Sequence, residues 1–154
     1  RLTGFSLDPA SPNIIEPGKR PAHTLNAFTA VNPDGTLHLV GGTPGANIQV
    51  QTNLQLIINV VDLKMNVQEA TEAPRWQHLN APGQSSSEET GSGVLEIENR
   101  ISTKVLDQLR TKGHDVKELA AWGHGSSVQL MQVLPNKTYA FGSDPRCEGH
   151  ASGI

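Results

Sequence analysis

Gly41-Gly42-Thr43-Pro44-Gly45-Ala46 is the stretch whose residue types and spacing are best suited to chemistry. It leads into a helical pattern that carries no charged residue until Asp62. The first turn of a helix leaves backbone N–H groups without intrahelical partners, and glycine lets another group approach them closely. Such an end suits a phosphate, a carboxylate or the oxyanion that develops during acyl transfer. A Walker-type phosphate loop needs Lys-Ser or Lys-Thr after its last glycine, where this sequence has Ala46-Asn47. The glycines also lack the spacing of the dinucleotide fingerprint. From the residues alone, a plain strand-to-helix turn with Pro44 as a helix starter stands as the alternative.

Other reactive side chains do not form a site by spacing. His23, His38, His78, His114, His124 and His150 are scattered, with no HExxH pair, so no zinc site is expected. Gly123-His124-Gly125-Ser126-Ser127 departs from the GxSxG pattern of serine hydrolases. Cys147 sits beside Arg146 in a turn-like stretch and reads as a bystander thiol. Glu88-Glu89 lie in a polar loop as a solvated pair. Nothing here makes a self-sufficient active site.

The elements that must position these residues follow from periodicity and punctuation. Residues 28–31 and 36–40 are expected as strands joined by the hairpin signal Asn32-Pro33-Asp34-Gly35. The second strand feeds the glycine turn and then the helix of the 41–63 stretch. Val50, Leu54, Ile57, Ile58 and Val61 form the stripe of that helix, widened by Leu56, Val60 and Leu63. Gln49, Thr52, Asn53, Gln55 and Asn59 carry the other face, and a helix so poor in charge is expected to be covered on both sides. Asn66 and Glu69 spell a capping box for a short helix ending by Ala73, before Pro74. Residues 76–79 are expected to be extended, 80–93 a flexible polar loop, and 94–97 a strand. Ser102 or Thr103 starts a helix carrying Val105, Leu106 and Leu109, stopped at Lys112-Gly113. Strands at 127–134 and 138–141 close the chain, giving a mixed α/β order whose sheet edges expect company.

Composition sets the outer bounds. The chain has 154 residues, enough for one domain with a real core. Its net charge of −3 offers no basic surface, so nucleic acid is not an expected partner. No apolar run is long enough for a membrane span. With Cys147 as the single cysteine, no disulfide can form within the chain. The first residue is Arg1, without a methionine, and the sequence reads as a fragment or a processed piece.

The order of motifs resembles the gamma-glutamyltransferase (gamma-glutamyltranspeptidase) family. The resemblance is carried by Pro17-Gly18-Lys19-Arg20-Pro21, Gly42-Thr43-Pro44-Gly45, Asn66 to Glu69 leading to Ala73-Pro74-Arg75, Gly113-His114, and Ser143-Asp144-Pro145-Arg146. It covers nearly the whole chain and matches the C-terminal portion of that family's small subunit. It implies an α/β (α+β) fold, part of the αββα four-layer sandwich of the N-terminal nucleophile hydrolases. It also implies self-cleavage of a precursor that exposes a threonine, whose hydroxyl attacks an amide with its own α-amino group as base. The acyl group then passes to water or to an amine, without a metal or cofactor. The family's oxyanion donors fall on Gly45 and Ala46, where the second is usually glycine; a backbone donor survives that change if φ allows it.

The substrate contacts implied by the resemblance are changed. His23 and Thr24 stand where the family has a serine pair; Thr24 keeps a hydroxyl donor, and His23 is either a hydrogen-bond donor to the acyl carboxylate or a packed structural histidine. Arg1 and Gly4 occupy the positions of the residues that hold the substrate's α-amino group. Arg1 favours an anionic acyl group instead, which opens a cephalosporin- or glutaryl-type amide acylase beside the γ-glutamyl reading. A non-catalytic interaction domain derived from such an enzyme is a further alternative. The nucleophile and the large subunit are expected upstream of Arg1, as partners of this chain, so the chain alone is expected to be inactive and to expose apolar surface. The resemblance fits a periplasmic or secreted location, and the sequence leaves a cytoplasmic one open.

Overall fold

A computed structural model describes residues 6–20, 26–45, 48–79 and 93–152 of the chain. The strands β1 (Asn26–Val31) and β2 (Leu37–Thr43) form the expected antiparallel hairpin. Its turn is closed by the Asp34 carboxylate, which accepts from the Thr36 N–H at 2.9 Å and the Thr36 hydroxyl at 2.6 Å, with Gly35 at φ +83°. β2 runs three residues past the expected end, so Gly41 and Gly42 belong to the strand rather than to the turn. A Cβ on Gly41 would lie 2.7 Å from the Phe28 ring and 2.8 Å from Leu130 Cδ1. Glycine is there because two large side chains converge over the strand. β6 (Gln129–Val133) pairs with β2, and β7 (Tyr139–Ser143) pairs with β6, both antiparallel. The sheet order is therefore β1-β2-β6-β7.

Helices cover one face of this sheet. α1 (Gln49–Ile57) passes into a π-helical turn at Ile58–Asp62, and α2 (Val67–Glu72) follows. The capping box of α2 forms as expected, with the Asn66 side chain accepting from Glu69 N–H at 2.9 Å and Glu69 Oε2 accepting from Asn66 N–H at 3.1 Å. α2 lies so close to β7 that a Cβ on Gly142 would fall 2.4 Å from the Val67 carbonyl oxygen. The core between the layers is Leu39, Leu56, Val60, Val67, Ala70, Val128 and Leu130. Each leucine or valine among them contributes about 1.5–3 kcal/mol when fully withdrawn from water.

The helix is expected to be covered on both sides, and the described residues of this chain cover one side alone. Leu56 and Val60 are buried, but Val50, Leu54, Ile58, Val61 and Leu63 are exposed, while Gln49, Thr52, Asn53 and Gln55 are buried. The cause is hydrogen bonding to a strand. Gln55 donates to the Trp76 carbonyl at 2.9 Å and accepts from the Trp76 N–H at 3.1 Å. One helical turn earlier, Gln51 donates to the His78 carbonyl at 3.0 Å and accepts from the His78 N–H at 2.7 Å. The rise of four helical residues, about 6 Å, nearly matches that of two strand residues, so the two amides imitate a neighbouring strand. Buried backbone groups left without partners cost more than exposed leucine does, and the polar face therefore wins the interior.

The strand so capped is β3 (Trp76–Leu79), at the edge of a second sheet of order β3-β4-β5. β4 (Val94–Glu98) pairs with β3 antiparallel and with β5 (Asp115–Leu119) in parallel. α3 (Thr103–Thr111) makes the crossover between β4 and β5. Leu95, Ile97 and Leu106 form its core. Gly113, at φ +91°, ends α3 as expected. Ser102 stands at the N-cap, but its side chain accepts no cap hydrogen bond. β5 is an element the sequence pattern does not announce. Asp115-Val116-Lys117-Glu118-Leu119 is mostly charged because its position beside β4 leaves alternate side chains in solvent. The fold class is mixed α and β, as expected. The polar loop expected at 80–93, with Glu88-Glu89, lies outside the described residues except for Gly93.

Candidate active site

The turn after β2 is held by three hydrogen bonds to its carbonyl groups. Gln49 Nε2 donates to the Thr43 oxygen at 2.8 Å, Ser126 Oγ to the Pro44 oxygen at 2.7 Å, and the Ile48 N–H to the Gly45 oxygen at 3.2 Å. Gly45 has φ +133°, a region that only glycine enters readily. A Cβ added to it would lie 3.0 Å from Ile48 Cγ1 and 3.2 Å from Ser126 Oγ. The Gly45 N–H has no acceptor among the described residues. A backbone donor left free beside the start of a helix is equipped to bind negative charge. α1 itself begins at Gln49, later than a helix started by Pro44 would.

Behind the turn lies a buried ion cluster built from three segments. Arg75 follows α2, Glu98 ends β4, and Asp144 and Arg146 follow β7. Arg75 Nη1 stands 2.6 Å from Asp144 Oδ2 and donates to the Ser126 carbonyl at 2.8 Å; Nη2 donates to the Thr71 carbonyl at 2.8 Å. Arg146 grips Glu98 with two bonds, Nε to Oε1 at 2.7 Å and Nη2 to Oε2 at 2.6 Å, and reaches Asp144 Oδ1 at 3.0 Å. Arg100 adds a bond to Glu98 Oε2 at 2.7 Å. Its guanidinium lies 3.5 Å from the Trp122 ring centroid, with that of Arg146 at 5.0 Å. Three cations thus face two carboxylates, and the indole face takes part of the excess positive charge.

The surroundings set the charges. Burial alone would raise the Glu98 pKa, but the bonds from Arg146 and Arg100 outweigh it, and the carboxyl is held below its ordinary value. Burial pulls the Arg75 guanidinium down, with Asp144 opposing. Burial also lowers His124, and the charge of Arg75 lowers it further, so this imidazole is neutral near pH 7. His124 Nδ1 accepts from the Ser126 N–H at 3.2 Å, which leaves its proton on Nε2.

Of the residues expected to act, Gly45 alone lies among those described; Arg1, His23, Thr24 and Ala46 fall outside them. Two separate motifs meet. Ala73-Pro74-Arg75 and Ser143-Asp144-Pro145-Arg146 form one cluster, with Arg146 also donating to the carbonyls of Thr71 and Ala73 at 3.0 Å. Ser126 then joins that cluster to Pro44. The Pro17-to-Arg20 segment is exposed, where Lys19 donates to the Pro12 carbonyl at 2.6 Å, and Gly113-His114 serves the end of α3. Arg146 turns inward, away from activating Cys147, whose sulfur lies 3.7 Å from the Asp144 carbonyl oxygen. Ser126 was the residue missed by motif matching. No local pattern signals it, since the Pro44 carbonyl it holds lies 82 positions away.

Comparison with known proteins bears on the family and the fold. The sequence profile of the gamma-glutamyltranspeptidase family matches residues 1–154. Among curated proteins, an oxamate amidohydrolase proenzyme from Klebsiella pneumoniae is 35% identical over 157 residues, covering 99% of this chain and 28% of that protein. A glutathione hydrolase proenzyme from Arthroderma benhamiae is 31% identical over 146 residues, covering 95% of this chain and 23% of that protein. The chain thus spans only 23–28% of the length of these relatives. Among solved structures, a gamma-glutamyltranspeptidase from Pseudomonas nitroreducens complexed with L-DON superposes with TM-score 0.71 at 26% identity, covering 94% of this chain and 69% of that one. A cephalosporin acylase from Bacillus halodurans gives TM-score 0.72 at 28% identity, covering 96% of this chain and 27% of that one.

Proposed function

Because the chain belongs to the gamma-glutamyltranspeptidase family, we propose that it supplies the oxyanion hole and part of the acyl pocket of an amide acyl-transferring or hydrolysing enzyme. The observation that carries this reading is the Gly45 N–H, without an acceptor among the described residues, ahead of α1 in a turn where the carbonyls of Thr43, Pro44 and Gly45 are each engaged. In the full-length protein, a threonine from outside these residues attacks the amide carbon. As the carbonyl π bond breaks, negative charge collects on oxygen, and the N–H groups of Gly45 and Ala46 receive it. Collapse expels the amine, leaving a threonyl ester that water or a second amine resolves. A donor fixed before the reaction need not reorganise during it, which is why the pinned Pro44-Gly45 peptide suits this task.

The acyl group is the open point of specificity, and Arg1 with Gly4 favours a second reading. Neither can pair with a substrate ammonium, whereas Arg1 can pair with a second carboxylate. A glutaryl-type acylase is therefore the companion proposal, supported by the likeness to a cephalosporin acylase. The test uses the full-length, self-cleaved protein with γ-glutamyl and glutaryl anilides. Anilide release with an acyl adduct on threonine, seen by mass spectrometry after rapid quenching, is the expected result. Preference for glutaryl moves the assignment to the acylase, and no release from either substrate overturns the enzymatic reading in favour of an interaction domain.

A further inference from the structure

We propose that Ser126 is a positioning residue for catalysis: its hydroxyl fixes the direction in which the Gly45 N–H points. This inference rests on the oxyanion reading of the turn. The Pro44 carbonyl and the Gly45 N–H belong to one peptide unit, which is planar and trans, so its oxygen and its N–H point in opposite directions. Ser126 Oγ holds that oxygen at 2.7 Å. Rotation of the peptide would break this bond, so the hydroxyl acts as a stop on the far side of the donor.

Ser126 is itself immobile. It is 1% exposed, its N–H donates to His124 Nδ1, and its carbonyl accepts from Arg75, which Asp144 and the Thr71 carbonyl hold in turn. A rigid line therefore runs from the ion cluster through Ser126 and Pro44 to the Gly45 donor. Nothing else described touches the Pro44 oxygen, and glycine at φ +133° offers little resistance to rotation by itself. The polar line explains why a buried serine stands in a segment that fails the serine-hydrolase pattern. Its hydroxyl is a donor to backbone and not a nucleophile.

The experiment compares S126A and S126C with the wild type in the full-length, self-cleaved protein, using the better of the two anilides. Alanine removes the donor, and cysteine keeps the volume with a weak donor. A misdirected oxyanion donor is felt in the transition state more than in substrate binding. We expect kcat to fall by roughly 10- to 100-fold in S126A, with KM within about threefold and Tm within a few degrees. S126C should lie between S126A and the wild type. Unchanged kcat in S126A overturns the proposal, as does a loss shared equally by kcat, KM and Tm. If S126A does not fold, S126C decides: full kcat there overturns the proposal, and a kcat loss with normal KM supports it. A wild-type protein that releases no anilide overturns the underlying reading instead, so the two failures are distinguishable.

Discussion

At the scale of single residues, the candidate site is a backbone donor beside a buried ion cluster. Gly45→Ala places a methyl group against Ile48 and Ser126 in a conformation that alanine resists, and should destabilise the chain by about 1–3 kcal/mol. Thermal unfolding of the variant checks this. Arg75→Ala takes one of two cations from buried Asp144, leaving Arg146, and strips the Ser126 and Thr71 carbonyls of their donor; it should cost about 3 kcal/mol by denaturant titration. Acid should weaken the fold in two stages. The folded pKa of His124 is below its ordinary 6.5, so the unfolded chain binds more protons there, and stability falls as pH drops below 6.5 towards the folded value. Glu98 is likewise below its ordinary 4.5, so its contribution is complete above 4.5 and is lost as pH falls through the lower folded value. Melting temperatures across pH 3–8 should show both stages, and His124→Gln should remove the upper one. Gly41 and Gly42 belong to β2, but the turn at Pro44-Gly45 was legible from its residue types. Ser126 was not, since its role comes from a contact with Pro44, 82 positions away, that no local pattern encodes.

At the scale of elements, hydrogen-bond satisfaction decided where hydrophobicity pointed elsewhere. The hairpin, the capping box and the end of α3 appeared where turn residues and caps placed them, because those signals are local. The covered face of α1 did not, because the partner of Gln51 and Gln55 is an edge strand 21–27 residues further on. β5 escaped notice because its burial comes from pairing with β4 and not from its own residues. Gln55→Ala should free the edge of β3. We expect a loss of about 1–3 kcal/mol, together with faster hydrogen exchange at the Trp76 amide. Exchange at the Trp76 amide unchanged from the wild type would show that Gln55 does not hold the edge of β3.

At the scale of the whole molecule, two apolar surfaces stand open among the described residues. One is the α1 stripe of Val50, Leu54, Ile58 and Val61; the other is the sheet face turned away from the helices, with Val31, Tyr139 and Phe141. A groove of about 670 Å³ runs along that sheet face beside Gly41 and Gly42. Patches of this kind mark contact sites, and we propose that further layers of a longer protein cover them. Leu54→Glu, at a side chain 51% exposed, should leave the melting temperature of the isolated chain nearly unchanged. The same substitution should cut the yield of assembled full-length protein, as read by gel filtration. The central claim, that this chain holds the developing negative charge, is most directly met by a crystal structure of the full-length protein carrying a phosphonate or boronate mimic of the tetrahedral intermediate. The account predicts an anionic oxygen about 2.7–3.1 Å from the Gly45 nitrogen, on the side opposite the Ser126 hydroxyl. An adduct whose oxygen is held by other donors, with the Gly45 N–H turned away, would contradict it.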